Sequence, residues 1–230
     1  MDIYYETWGQ GPAVICLHDV FENRKVFAAL AKDLQKHYQL ILIDARYHGK
    51  SVKSGPLSIA QNVLDVQSVI ADLGLESYDV IGVGMGANTA LALAVQDQRL
   101  KSAVLISPYS SPQSFKGFYY FQIVMTLIFM VPFCLYNKLA RRRFQLTKWL
   151  LREPHFSSEM FASIKQPILV LAGDRDNIKP SAIEKIAKCL PHCVQEELYD
   201  SHDALHDAYR QVLKKIRGYL YASNQTNTND

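Results

Sequence analysis

The chain has 230 residues, 49% of them apolar and 20% charged, with a net charge of +3. That length is enough to bury a full core as one α/β domain, and the balanced composition excludes a disordered or disulfide-built chain. The basic residues are scattered, which gives no reason to expect nucleic-acid binding; the one run, Arg141-Arg142-Arg143, reads as a solvated helix face.

In chain order, Ile3 to Trp8 alternates weakly and reads as an edge strand ended by Gly9-Gln10-Gly11-Pro12. Ala13 to Leu17 is a continuous apolar run, the pattern of a buried strand. A helix is predicted over Arg24 to Lys36, a second buried strand over Leu40 to Asp44, and a loop over Ala45 to Ser51. Ser58 and Gln61 form a capping-box pair before a helix that runs to Leu73 and stops at Gly74. Tyr78 to Ile81 is the next strand; Gly82-Val83-Gly84-Met85-Gly86 is a glycine-rich turn leading into another helix. Lys101 to Ile106 is a strand, and none is expected from Ser107 to Lys165. Pro167 to Leu171 returns to the sheet, followed by a helix over Ser181 to Leu190, a strand over Val194 to Leu198 and a helix over Ala204 to Tyr221.

Strands alternating with helices, each strand nearly all apolar, imply a mostly parallel sheet covered on both faces. Residues 1–106 and 167–221 form the expected core, 107–166 a helical lid insertion, and 222–230 a frayed polar tail. Ligands in such sheets bind beyond the carboxyl ends of the strands.

The segment Phe118 to Tyr136 approaches the length of a membrane span and is flanked by Lys138 and the arginine triplet. Gln122 and Pro132 interrupt it, so the favoured reading is apolar helices covering a pocket, with membrane-surface contact as the alternative. Cys16 and Cys134 lie in apolar runs and read as buried thiols, whereas Cys189 and Cys193 lack the second pair that a zinc site needs. The first residues have no signal-peptide pattern, which gives an expectation of a reducing cytoplasm without disulfides.

Five segments in order resemble the α/β-hydrolase family. They are Ala13-Val14-Ile15-Cys16-Leu17-His18-Asp19, Asp44-Ala45-Arg46-Tyr47-His48-Gly49-Lys50-Ser51, the Gly82 to Gly86 turn, Pro167 to Asp176, and Ser201-His202. The resemblance implies an α/β-hydrolase fold, with a serine at the centre of the G-x-S-x-G turn, where Gly84 stands. By position it also implies Asp176 as the acid and His202 as the base, with backbone N–H groups of Met85 and Val20 as oxyanion donors. Asp174 competes with Asp176 but reads as a turn organiser, and His206 is the weaker candidate base.

Three positions depart from that pattern. Gly84 has no nucleophile, Asp19 replaces a glycine beside the oxyanion donors, and bulky Tyr47 replaces a loop glycine; Asp19 and Tyr47 are expected to line the pocket. A carboxylate at Asp19 pointing inward would oppose developing negative charge. Cys16, Ser51 and Ser107 are not expected to substitute as nucleophiles: Cys16 points into the core, and neither serine is expected on a strained turn.

The leading expectation is a non-catalytic or vestigial hydrolase binding an apolar or acyl small molecule or a partner, with no cofactor and no metal. The alternatives are an atypical enzyme using a His202–Asp176 dyad, or a serine esterase inactivated by an engineered Gly84.

Overall fold

The apolar runs assemble into one seven-stranded sheet in a computed structural model that describes residues 2–201 and 203–226, the last three by backbone alone. Strands β1 (Tyr5–Trp8), β2 (Ala13–Leu17) and β3 (Gln39–Ile43) precede β4 (Tyr78–Val83), β5 (Leu100–Ile106), β6 (Ile168–Gly173) and β7 (Cys193–Leu198). Their spatial order is β1-β3-β2-β4-β5-β6-β7. Only the β1–β3 pairing is antiparallel. The chain reverses direction across the sheet between β3 and β4, which flank β2, so the carboxyl ends of β2 and β4 lie side by side at the crevice where such sheets bind ligands.

Helices cover both faces because alternate strand residues point to opposite sides. Ile15, Leu17, Ile41 and Val80 pack on one side with α2 (Ile59–Asp72), α3 (Met85–Gln96) and α7 (Pro180–Cys189). Val14, Cys16, Leu42 and Ile81 pack on the other with α1 (Ala28–Leu34) and α8 (Tyr209–Thr226). Each fully buried aliphatic side chain contributes about 1.5–3 kcal/mol, and every residue of β2 is buried.

Local chemistry shifts several expected boundaries. The helix predicted over Arg24 to Lys36 opens as a 3-10 turn, Arg24–Phe27, before α1. Asp44 anchors that turn by accepting from the Arg24 backbone N–H (2.9 Å) and guanidinium (2.8 Å). Only half of the expected capping box forms: Ser58 Oγ accepts from the Gln61 N–H, but the Gln61 amide turns to Asp65 instead. The last helix starts at Tyr209, after a turn in which the Asp203 carbonyl accepts from the His206 and Asp207 N–H groups. It extends through Thr226, into residues expected to fray.

Between β5 and β6 lie α4 (Gly117–Met130), α5 (Lys138–Leu150) and the short α6 (Ser158–Ala162). Pro132, which lacks an N–H to donate, follows the end of α4 and opens a 3-10 turn, Pro132–Leu135. The apolar run is thereby split, and among the described residues no helix is long and apolar enough to cross a membrane. Cys134 is partly exposed on that turn rather than buried, while Cys16 is buried as expected.

Candidate active site

The turn from β4 to α3 is sharp. Gly84 holds it with φ +50° and ψ −109°, a conformation L side chains rarely adopt. Its N–H donates to the Ile106 carbonyl (2.9 Å), and its carbonyl accepts from the Asn88 N–H (3.0 Å), which locks the turn to β5 and to the first turn of α3. Gly86 lets α3 press against β2, since a Cβ there would run into the Leu17 carbonyl.

Asp19, at the end of β2, turns inward onto this turn. Its Oδ1 accepts the Met85 N–H at 2.7 Å. A Cβ built on Gly84 would overlap the Asp19 carboxyl group. One side chain therefore fills the space that a residue with a side chain would need at Gly84 and takes the amide that follows it. Burial pushes the Asp19 carboxyl up to about 7, with Glu22 and Asp176 adding to the rise and the Met85 and Val20 N–H groups opposing it.

His18 supports that placement. Its Nε2 accepts from the Ala45 N–H (3.0 Å), so Nδ1 carries the proton and donates to the Asp19 carbonyl at 2.7 Å. Burial lowers His18 to about 4, keeping it neutral. The Asp19 N–H in turn donates to the Glu22 carboxylate (3.3 Å).

Across the pocket, Asp176 follows β6. Burial raises its pKa, opposed by the Ser107 hydroxyl and the Ile178 N–H; the latter donates to Oδ1 at 3.1 Å. Its buried Oδ2 has no hydrogen-bond partner among the described residues. The expected partner of Asp176, His202, lies outside the described residues. Asp174 is the turn organiser predicted for it, accepting from the Asp200 (3.1 Å) and Ser201 (3.0 Å) N–H groups. His206 is exposed and hydrogen-bonded through Nδ1 to Asp203 (2.8 Å).

These groups surround a cavity of about 290 Å³ beyond the strand ends, with Gly84, Asp19, Val20 and Asp176 in its wall. Tyr109, Phe115, Tyr119 and Leu150 line its apolar side, and Glu22 and Asp203 add carboxyl groups at the strand-end side. The lining is more acidic than the expected apolar pocket, because the loops after β2 and β6 bring several acids to one place. Tyr47 is elsewhere: its hydroxyl donates to the Gly55 carbonyl (2.7 Å), and it lines a separate cleft with Trp149 and Arg152. Ser51 is structural, its hydroxyl donating to the Asp44 carbonyl and accepting the Tyr4 N–H.

Ser107, not expected on a strained turn, is a residue of the site. It ends β5 with φ +54°, a strained position for a serine, and it lines the cavity beside Asp176. The signal available was its place at a strand end next to the ligand crevice. Tyr109 and Glu22 carried no such signal. One cluster among the described residues has metal-ligand geometry: Glu22, Asp203 and His206 offer atoms within 4.8 Å of one another. The Asp203–His206 hydrogen bond belongs to the turn before α8, which accounts for that cluster without an ion.

A family model described as the alpha/beta hydrolase fold matches residues 12–123. The chain superimposes on an esterase from Exiguobacterium antarcticum with a TM-score of 0.81 at 17% identity, covering 95% of both chains. It superimposes on the enol-lactonase from Burkholderia xenovorans LB400 with a TM-score of 0.77 at 19% identity, covering 95% of this chain and 96% of that one. The chain has the α/β-hydrolase fold. Among sequence relatives, an sn-1-specific diacylglycerol lipase of Mus musculus is 34% identical over 87 residues, 37% of this chain and 28% of the lipase. Its Xenopus tropicalis counterpart is 29% identical over 116 residues, 48% of this chain and 36% of that protein. The matches thus span well under two thirds of the length of these curated relatives. Within the α/β-hydrolase fold, the Gly84 turn, the Asp19 loop and the Asp176 loop all meet at the carboxyl edge of the sheet, where β2, β4 and β6 end.

Proposed function

We propose that this protein keeps the pocket of an α/β-hydrolase but not its serine chemistry, and binds an apolar or acyl small molecule without serine-dependent turnover. In this reading Gly84 stands at the nucleophile position and residues 107–166 are a lid over the pocket. Met85 and Val20 supply the amides that would otherwise hold an oxyanion. The observation that carries the reading is the Asp19 carboxyl group, which already occupies the Met85 amide and the space above Gly84. Stabilising an oxyanion requires free donors and positive potential, and a carboxylate there supplies the opposite.

The acids in the wall narrow the ligand. The acidic lining of Asp19, Glu22 and Asp176 disfavours a carboxylate or phosphate, while Tyr109, Phe115, Tyr119 and Leu150 favour acyl or aromatic groups. The relatives are named as diacylglycerol lipases and the structural neighbours as an esterase and an enol-lactonase, in keeping with an acyl class of ligand. Asp19 also argues against a single engineered substitution at Gly84, because two neighbouring positions depart from the pattern that the chain resembles.

The test is hydrolysis of p-nitrophenyl esters of varied chain length by the protein as it stands, beside binding of the matching alcohols and fatty amides. Saturable binding with no turnover above background is expected. Ester turnover that disappears in His202→Ala would overturn the non-catalytic reading.

One observation favours a second reading. Asp176 Oδ2 is buried and has no partner among the described residues, and an imidazole N–H from His202 would satisfy it. Such a dyad could activate a water in the cavity that Asp176 lines. Turnover with a histidine-like ionisation, lost in both His202→Ala and Asp176→Asn, would support it.

A further inference from the structure

The outer surface of α4 and the turn after it is apolar and uncovered. Ten of the sixteen large apolar residues exposed among the described residues fall within Phe118–Leu139. Phe118, Phe121 and Phe129 share one side of α4, and Phe133, Leu135 and Tyr136 continue the patch on the following turn. Tyr136 is 90% exposed and Phe118 75%. A contiguous patch of this kind far exceeds scattered surface apolar residues and marks an interaction site.

The charge around the patch selects the partner. No Asp or Glu occurs between Asp97 and Glu153, whereas Lys116, Lys138, Arg141, Arg142 and Arg143 all fall in that stretch. Lys138, Arg141 and Arg143 are exposed on the first turns of α5, directly after the apolar turn. Aromatic side chains beside a cationic row suit the boundary between acyl chains and anionic headgroups. The hydroxyl of Thr126 on α4 is satisfied by the Gln122 carbonyl (2.8 Å). The element is too short to span a bilayer, so it would lie in the interface.

We infer that the α4–α5 surface docks on a lipid bilayer bearing anionic headgroups. Tyr119 of α4, together with Phe115 just before the helix, lines the pocket wall. Docking would therefore place the pocket's apolar side next to the membrane, where an apolar ligand can pass into it without crossing water.

The experiment is co-sedimentation of the full chain with vesicles of phosphatidylcholine alone and of equal parts phosphatidylcholine and phosphatidylglycerol. Binding to the mixed vesicles and little to the neutral ones is expected. The doubly substituted Phe129→Glu/Phe133→Glu protein, both positions being exposed, should bind on the order of tenfold more weakly or worse. Arg141→Glu/Arg143→Glu should lower binding to the mixed vesicles and remove its salt dependence. Circular dichroism reports that each variant is folded. Absence of binding to the mixed vesicles, binding unchanged in both variants, or a solution dimer that the Phe129→Glu/Phe133→Glu change dissolves while vesicle binding stays absent would each overturn the inference. Vesicle binding is read without a pocket ligand or a reaction, so this outcome is separate from that of the proposed pocket function.

Discussion

The floor and the cover of the pocket are built on opposite principles. The floor, where β2, β4 and β6 end, is tight: Asp19 fills the space above Gly84, Gly86 abuts Leu17, and Asp19 and Asp176 each accept a backbone N–H. The cover, α4 and the turn after it, is loose: Ile123 and Tyr119 pack inward, but most of its large side chains are exposed. A site under selection for chemistry needs a precise floor, and this floor is precise, but around a carboxylate rather than a nucleophile. The cover instead has the properties of a contact surface.

That contrast can be broken most forcefully at Gly86. Gly86→Ala drives a methyl group into the Leu17 carbonyl, and backbone cannot yield cheaply there. A loss of about 3 kcal/mol or more is expected, seen as a large drop in the urea midpoint. A loss below 1 kcal/mol would show that α3 can slide and that the floor is not tight.

Gly84→Ser comes next. The positive φ costs a non-glycine residue about 1–3 kcal/mol, and the new side chain must displace Asp19. Adding Asp19→Gly should recover part of that loss, a coupling readable in a double-mutant cycle. Additive losses would mean that the two side chains do not compete for space.

Asp19 itself gives a pH signature. Its folded pKa is raised to about 7, so the folded state binds the proton more tightly than the unfolded state does. Its contribution is greatest below the ordinary carboxyl value and is lost as pH rises through about 7. Asp19→Asn should remove that loss, gaining about 2 kcal/mol relative to the parent at pH 8 compared with pH 4, less than the full shift gives because the group faces a cavity. Parallel melting-temperature profiles for the two proteins would contradict it.

The smallest effect belongs to the cover. Phe129→Glu should change stability by less than about 0.5 kcal/mol, since the ring is mostly exposed. A large loss would place α4 in the core and reverse the comparison.

Much of the floor was legible in the residues. Continuous apolar runs marked the inner strands, and the glycine spacing Gly82-x-Gly84-x-Gly86 marked the turn. Asp19 was recognisable as a misfit, but its direction was not. It depends on the Met85 amide and on the Ala45 amide that fixes the His18 ring, both contributed by segments distant in sequence. Tyr47 misled for the opposite reason: a local bond to the Gly55 carbonyl turns it into another cleft. The backbone strain at Ser107 has no sequence signature at all. The apolar run of the cover and its break at Pro132 were plain, but which of its side chains face solvent depends on how α4 packs, which is a tertiary matter.

The central claim is that Asp19, and not merely the missing hydroxyl of Gly84, closes this site to serine chemistry. Fluorophosphonate labelling of the parent, Gly84→Ser and Gly84→Ser/Asp19→Gly proteins tests it most directly. The account predicts labelling of the double variant alone. Labelling of Gly84→Ser as fast as the double variant would contradict it, because the carboxylate would then be no obstacle.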